Sequence, residues 1–166
     1  MKRIISLWLI TLSFVALSFG QSPQVKTKDL QVLMGARWTG NLAYLDYGTE
    51  KKVLIPSDLI VRQAKDDKLS WVFEYQYPDE PKANSTEIVA VSKDGKMFDG
   101  EVVIERTNLT GKTVKIVTEK SGSDNDKKAL FRFTYLLSKK SFSIRKEVKY
   151  EGATEFFVRS EYNWKR

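Results

Sequence analysis

The chain has 166 residues, a formal charge of +7, 42% apolar side chains, and neither histidine nor cysteine. Those two absences exclude zinc sites of the usual nitrogen and sulfur kind, histidine-ligated haem, Cys–His nucleophiles and the Ser–His–Asp triad. With no disulfide to staple it, a chain of this length must rest on its hydrophobic core.

Residues 1–20, "MKRIISLWLITLSFVALSFG", read as a secretory signal peptide. Lys2 and Arg3 precede an almost uncharged run from Ile4 to Phe19, and Ser18 and Gly20 are the small residues before a cut at Gln21. That apolar run is sixteen residues long, short of the roughly 20 a spanning helix needs. No cysteine follows it, so a lipoprotein is not expected. Loss of the peptide removes Lys2 and Arg3 and lowers the charge from +7 to +5. The expectation is an exported protein, periplasmic or extracellular, that does not span the membrane. Its lysine pairs (51–52, 127–128, 139–140) sit beside turn residues and among acids. No basic stripe with aromatic platforms emerges, so no nucleic-acid partner is expected.

Residues 21–34 form a polar N-terminal segment with one short helical turn, in which Asp29 is the expected cap before Leu30, Val32 and Leu33. From Gly35 to Arg166 the period is two, the mark of half-buried strands in a single β domain. Trp38, Gly40, Leu42 and Tyr44 share one face of the first strand. Val53 and Ile55 form a second run before Pro56, and Leu59 and Val61 belong to a third. In "LSWVFEYQY" the face Trp71, Phe73, Tyr75, Tyr77 is wholly aromatic. "YPDEPKANS" is a long loop, either a lid or a plain connection, and "SKDGK" predicts an Asp-Gly hairpin turn. "EVVIER" and "TVKIVTE" follow, then the polar loop "SGSDNDKK". Three alternating strands end the chain: Phe131, Phe133, Tyr135, Leu137; then Phe142, Ile144, Lys146, Val148, Tyr150; then Phe156, Val158, Ser160, Tyr162, Trp164.

Short sequential hairpins with no crossover helix predict an all-β fold, an antiparallel up-and-down barrel of about 8–10 strands. Closure also removes the edges an exported β protein must protect. The helical turn, then Gly35, then Trp38 at the first strand resembles the lipocalin and wider calycin superfamily. In that group the tryptophan plugs the closed end of the barrel, often under an arginine from the far end of the chain; Arg159 and Arg166 are the candidates here. The step Trp38-Thr39-Gly40 is also similar to the start of nitrobindin-type haem barrels, which hold haem iron through a histidine that this chain lacks. The resemblance implies a barrel with a plugged end and carries over no ligand.

The candidate ligand-binding residues are Tyr44, Asp46, Trp71, Phe73, Tyr75, Tyr77, Phe131, Phe133, Tyr135, Lys146 and Tyr162. Either the rings line a cavity for a small apolar or amphipathic molecule, or they fill the core. Asp46, Lys146 and Ser160 fall on apolar faces, where an unpaired charge costs several kcal/mol. They anchor a ligand head group, or Asp46 opens a turn and the Lys146 stem snorkels. Arg106, Arg132, Arg145 and Arg159 with Glu101, Glu105, Glu147, Glu155 and Glu161 predict cross-strand ion pairs on the exterior. Asp124 and Asp126 lack the later glutamate of a known calcium loop and predict a solvated turn. No catalytic residue, metal or cofactor is assigned. The expected function is binding, with protein contacts through a filled barrel, or histidine- and cysteine-independent catalysis, as the alternatives.

Overall fold

The computed structural model describes residues 22–166, so the expected signal peptide, residues 1–20, lies outside the described residues. A short helix, α1 (Thr27–Gln31), precedes ten strands: β1 (Arg37–Asp46), β2 (Lys51–Gln63), β3 (Ser70–Gln76), β4 (Ser85–Ala90), β5 (Met97–Phe98), β6 (Glu101–Leu109), β7 (Thr113–Asp124), β8 (Lys127–Leu137), β9 (Ser141–Tyr150) and β10 (Phe157–Lys165). They form one antiparallel sheet in the order β4-β3-β2-β1-β10-β9-β8-β7-β6-β5. Its two ends meet where Val91 bridges Phe98 and the Asp99 amide donates to the Ala90 carbonyl at 2.7 Å. The expected up-and-down barrel is therefore present, and it is nearly closed.

One end is packed solid. The Trp38 indole is wholly buried; its Nε1 donates to the Leu33 carbonyl at 2.8 Å. Of the two candidate arginines, Arg166 covers it, with its guanidinium 4.3 Å from the ring. Arg166 is held there by the carbonyls of Val32 at 2.7 Å, Met34 at 3.0 Å and Lys139 at 2.7 Å. Above the plug, Phe142 meets Trp38 edge-on at 6.3 Å and stacks on Trp164 at 5.3 Å. Buried Trp71, Phe73, Leu59, Ile116 and Leu137 complete the fill. Gly40 is required at this end, because a Cβ there would lie 1.9 Å from the Asn163 carbonyl oxygen of the neighbouring strand.

Helix α1 is pinned beneath this core by an ion pair. Asp29 sits at the third helical position, one turn past the cap expected for it, and Lys26 occupies the cap. Its carboxylate accepts the Lys26 amide at 2.8 Å and two bonds from Arg106 on β6, each 2.7 Å. Both side chains are nearly buried, so Arg106 does not belong to the exterior ion pairs expected of it. Arg132–Glu119 and Arg145–Glu161 do cross neighbouring strands on the outer face.

Several boundaries differ from expectation for identifiable reasons. The second and third predicted runs are one strand, β2, which passes through Pro56. Strand β3 pairs with β2 only from Asp58 to Gln63. Pro56 therefore lies where β2 has a free edge and loses no hydrogen bond on that side. "SGSDNDKK" is mostly strand: β7 and β8 run to a two-residue turn at Asn125 and Asp126, both with positive φ (48° and 60°), the geometry favoured in tight hairpins. The hairpin between β5 and β6 turns the same way at Asp99 and Gly100, φ 53° and 73°. Phe156, expected inward, precedes β10 and lies 4.0 Å from the Arg132 guanidinium. A bulge between Val158 and Ser160 reverses the phase of the strand, so Phe157 packs with Tyr150 while Ser160, Tyr162 and Trp164 point inward.

Candidate binding cavity

The fill stops halfway up the barrel. β7 pairs with β6 only as far as Glu119, and β2 with β3 only down to Asp58, so the upper ends of β7 and β2 each lack a neighbour. Six strands, β2-β1-β10-β9-β8-β7, rise past the others as a curved open wall. Between that wall and the packed end lies a cavity of about 270 Å³.

Aromatic rings form its floor and sides. Tyr75 lies 6.4 Å from Phe73 and 5.5 Å from Tyr162, and Tyr162 stacks on Trp164 at 4.8 Å. Phe133 stacks on Tyr135 at 6.4 Å across the cavity wall. The Tyr162 and Tyr77 hydroxyls are bonded at 2.7 Å. Burial first, and then that bond, push the Tyr162 phenol up, so it stays protonated. Tyr75 is only 7% exposed, and its hydroxyl has no hydrogen-bond partner among the described residues.

Charged groups enter from three directions. Glu101, 1% exposed, accepts from the Thr118 hydroxyl and from the Tyr135 hydroxyl at 3.2 Å, and pairs with Lys120 Nζ at 3.0 Å. Burial raises its carboxyl above the ordinary range even though Thr118 and Lys120 pull it down. Glu87 on β4 and Asp99 in the β5–β6 turn also line the cavity. Burial raises both, the Asp99 charge raises Glu87 further, and Lys120 opposes each. On the opposite wall Lys146, in the middle of β9, points inward with its amine 4.2 Å from the Phe131 ring centre. Burial lowers its ionisation, partly offset by the Asp124 charge.

Of the residues singled out from sequence, Phe73, Tyr75, Phe133, Tyr135, Lys146 and Tyr162 line this cavity, with Ser160 beside them. The others do not. Trp71 is buried deeper in the closed core, and Tyr77 stands behind Tyr162. Phe131 packs in a small separate cluster with Ala129 and Val148. Tyr44 and Asp46 lie beyond the lining; Asp46 Oδ1 accepts the Gly48 amide at 2.8 Å, which makes it a turn residue.

Glu87, Asp99, Glu101 and Lys120 were not legible as site residues. In "EVVIER" both phases are apolar: Val102 and Ile104 face out, 53% and 43% exposed, while Val103 is buried. Alternation alone therefore could not turn Glu101 inward, and the expected exterior pairing of Glu101 is corrected. The solvated turn expected at Asp124 is also corrected. Its carboxylate is nearly buried and accepts from the Tyr47 hydroxyl and from the Tyr150 hydroxyl at 3.1 Å, with Arg159 Nε 3.8 Å away. That network ties the β1–β2 turn to β7, β9 and β10 and braces the open wall.

No protein-family model matches the chain, and no curated protein matches it. Among solved structures, the crystal structure of Rv2717c from M. tuberculosis is similar, with a TM-score of 0.54 at 13% identity over 83% of this chain and 96% of that one. What they share is a fold. Among the described residues no helix is long and apolar enough to cross a membrane.

Proposed function

We propose that this protein is an exported, calycin-like barrel that takes up one small amphipathic molecule in its open half. The observation that carries the reading is the cavity of about 270 Å³, lined by aromatic rings with a few charged groups among them. Ligand pockets typically combine apolar walls with a few placed polar groups and begin at roughly 300 Å³. The size therefore favours a molecule with one ring or a short chain over a long-chain lipid. Export is supported by the composition of residues 1–20, and the calycin-like reading by the stacking of Arg166 on Trp38.

Native mass spectrometry tests this on protein purified without denaturation and then offered small molecules of this kind. One-to-one adducts are expected, and they should vanish in Ser160→Phe, which puts a ring into the cavity. Adducts that persist in that variant would place the binding elsewhere, and a chain that keeps residues 1–20 and stays inside the producing cell would contradict the export reading.

A further inference from the structure

We propose that the ligand is a cation: a small primary amine with an apolar ring or short chain, its ammonium held by Glu87 and Asp99 and its apolar part against Tyr75 and Tyr162. This rests on the cavity being a binding site. The selection of charge comes from which groups inside already have partners.

Three carboxylates and two amines face the cavity. Glu101 and Lys120 are matched to each other at 3.0 Å. Lys146 lies over Phe131, and β9 is five positions from β4 and four from β5 in the ten-strand order, on the far side of the barrel. Glu87 and Asp99 are left on one wall with no ion-pair partner among the described residues. Glu87 is exposed at the mouth and Asp99 is half-buried, and two carboxylates on one wall without a counter-charge attract a cation.

A second observation points to the same place. The Tyr75 hydroxyl belongs to a side chain more than nine-tenths buried, lines the cavity and has no partner. Tyr75 and Glu87 share a face of the β3–β4 pair as diagonal neighbours, since Glu87 is opposite Phe73 and Ser85 opposite Tyr75. The Tyr75 oxygen is not sealed off, unlike the unbonded Ser57 Oγ and the Trp71 and Trp164 indole nitrogens, so it opens on the cavity where a ligand can donate to it. A protonated primary amine brings three N–H donors, and Glu87, Asp99 and the Tyr75 oxygen are three unused acceptors. The adjoining ring faces favour a cation as well. A carboxylate ligand would instead meet two uncompensated negative charges, and a neutral one would leave them unpaired.

The test compares 2-phenylethylamine, 2-phenylethanol and phenylacetate by isothermal titration calorimetry on the wild-type protein at pH 7. The three share a ring and differ in head-group charge. The amine is expected to bind about tenfold or more tighter than the alcohol, the return of one charge-assisted hydrogen bond, and phenylacetate weakest. Glu87→Gln/Asp99→Asn should abolish the advantage of the amine and leave the alcohol unchanged, with circular dichroism reporting that the fold is retained. If the alcohol or phenylacetate binds as tightly as the amine, the cation assignment fails and the cavity reading stands. If the advantage survives in the double variant, these carboxylates do not hold the ammonium. If none of the three binds, the cavity reading falls and takes this proposal with it.

Discussion

The two ends of the barrel solve the same problem differently. At the closed end ten strands, a helix and Arg166 surround a stack of large rings, and a buried ion pair, Asp29–Arg106, has both charges answered at 2.7 Å. At the open end four strands have stopped, six continue, and carboxylates and amines enter the interior without full pairing. The difference teaches how strand pairing divides the interior into a packed half and an open half. Complete enclosure permits dry packing, whereas loss of the neighbouring strands leaves room and wets the wall. The incompletely paired charges sit where the packing has stopped.

Equal truncations at the two ends should expose this contrast most strongly. Phe142→Ala removes a ring 2% exposed in the closed stack, and a loss of about 3–5 kcal/mol is expected in urea unfolding. Phe133→Ala removes the same ring from the half-buried cavity wall, and roughly half that loss is expected, since its surface is already partly solvated. Equal losses would erase the distinction. Next in size, Arg106→Ala leaves Asp29 charged and buried, at about 3 kcal/mol. Asp29→Asn added to that variant should recover part of the loss, because the stranded charge is then gone.

At the open end the expected effect is a change in pH dependence. Glu101 has a folded-state ionisation raised above its unfolded one, by burial first. Between those two values the folded protein holds more protons than the unfolded, so stability from this group is full below the ordinary carboxylate range and is lost as pH rises through the raised value. Glu101→Gln should therefore gain on the wild type as pH increases from about 4 to 7, near and above the reference carboxylate range; a constant difference across that range would mean that Glu101 is not destabilised by burial. Smallest of all, Arg145→Ala breaks an exposed pair with Glu161 at 3.2 Å. Its expected cost is about 0.5 kcal/mol or less, shrinking further in salt.

How much of this was legible depended on contrast within each strand. In β8 and β9 one phase is aromatic or aliphatic and the other largely polar, so their inward faces follow from alternation. Trp38 and its covering arginine were legible as a plug, with Arg166 one of two options. The closed end was thus the readable half. The open end was hidden because "EVVIER" is apolar in both phases, because Pro56 sits on an edge no single strand reveals, and because a bulge after Val158 moves Phe156 outside. Asp99 and Glu87 reach the cavity only through pairing of β4 with β3 and of β5 with β6, contacts set by register and not by either segment alone.

The most direct measurement is a two-dimensional NMR titration of residues 21–166 with 2-phenylethylamine, read at side chains from both ends. Shifts are expected at Ile144, Phe133, Tyr75 and Tyr162 around the cavity. The indole resonances of Trp38 and Trp71, sealed in the closed core, should stay in place. Perturbation centred on those indoles, or no perturbation at the cavity residues at saturating ligand, would contradict a barrel with one packed end and one receptive end.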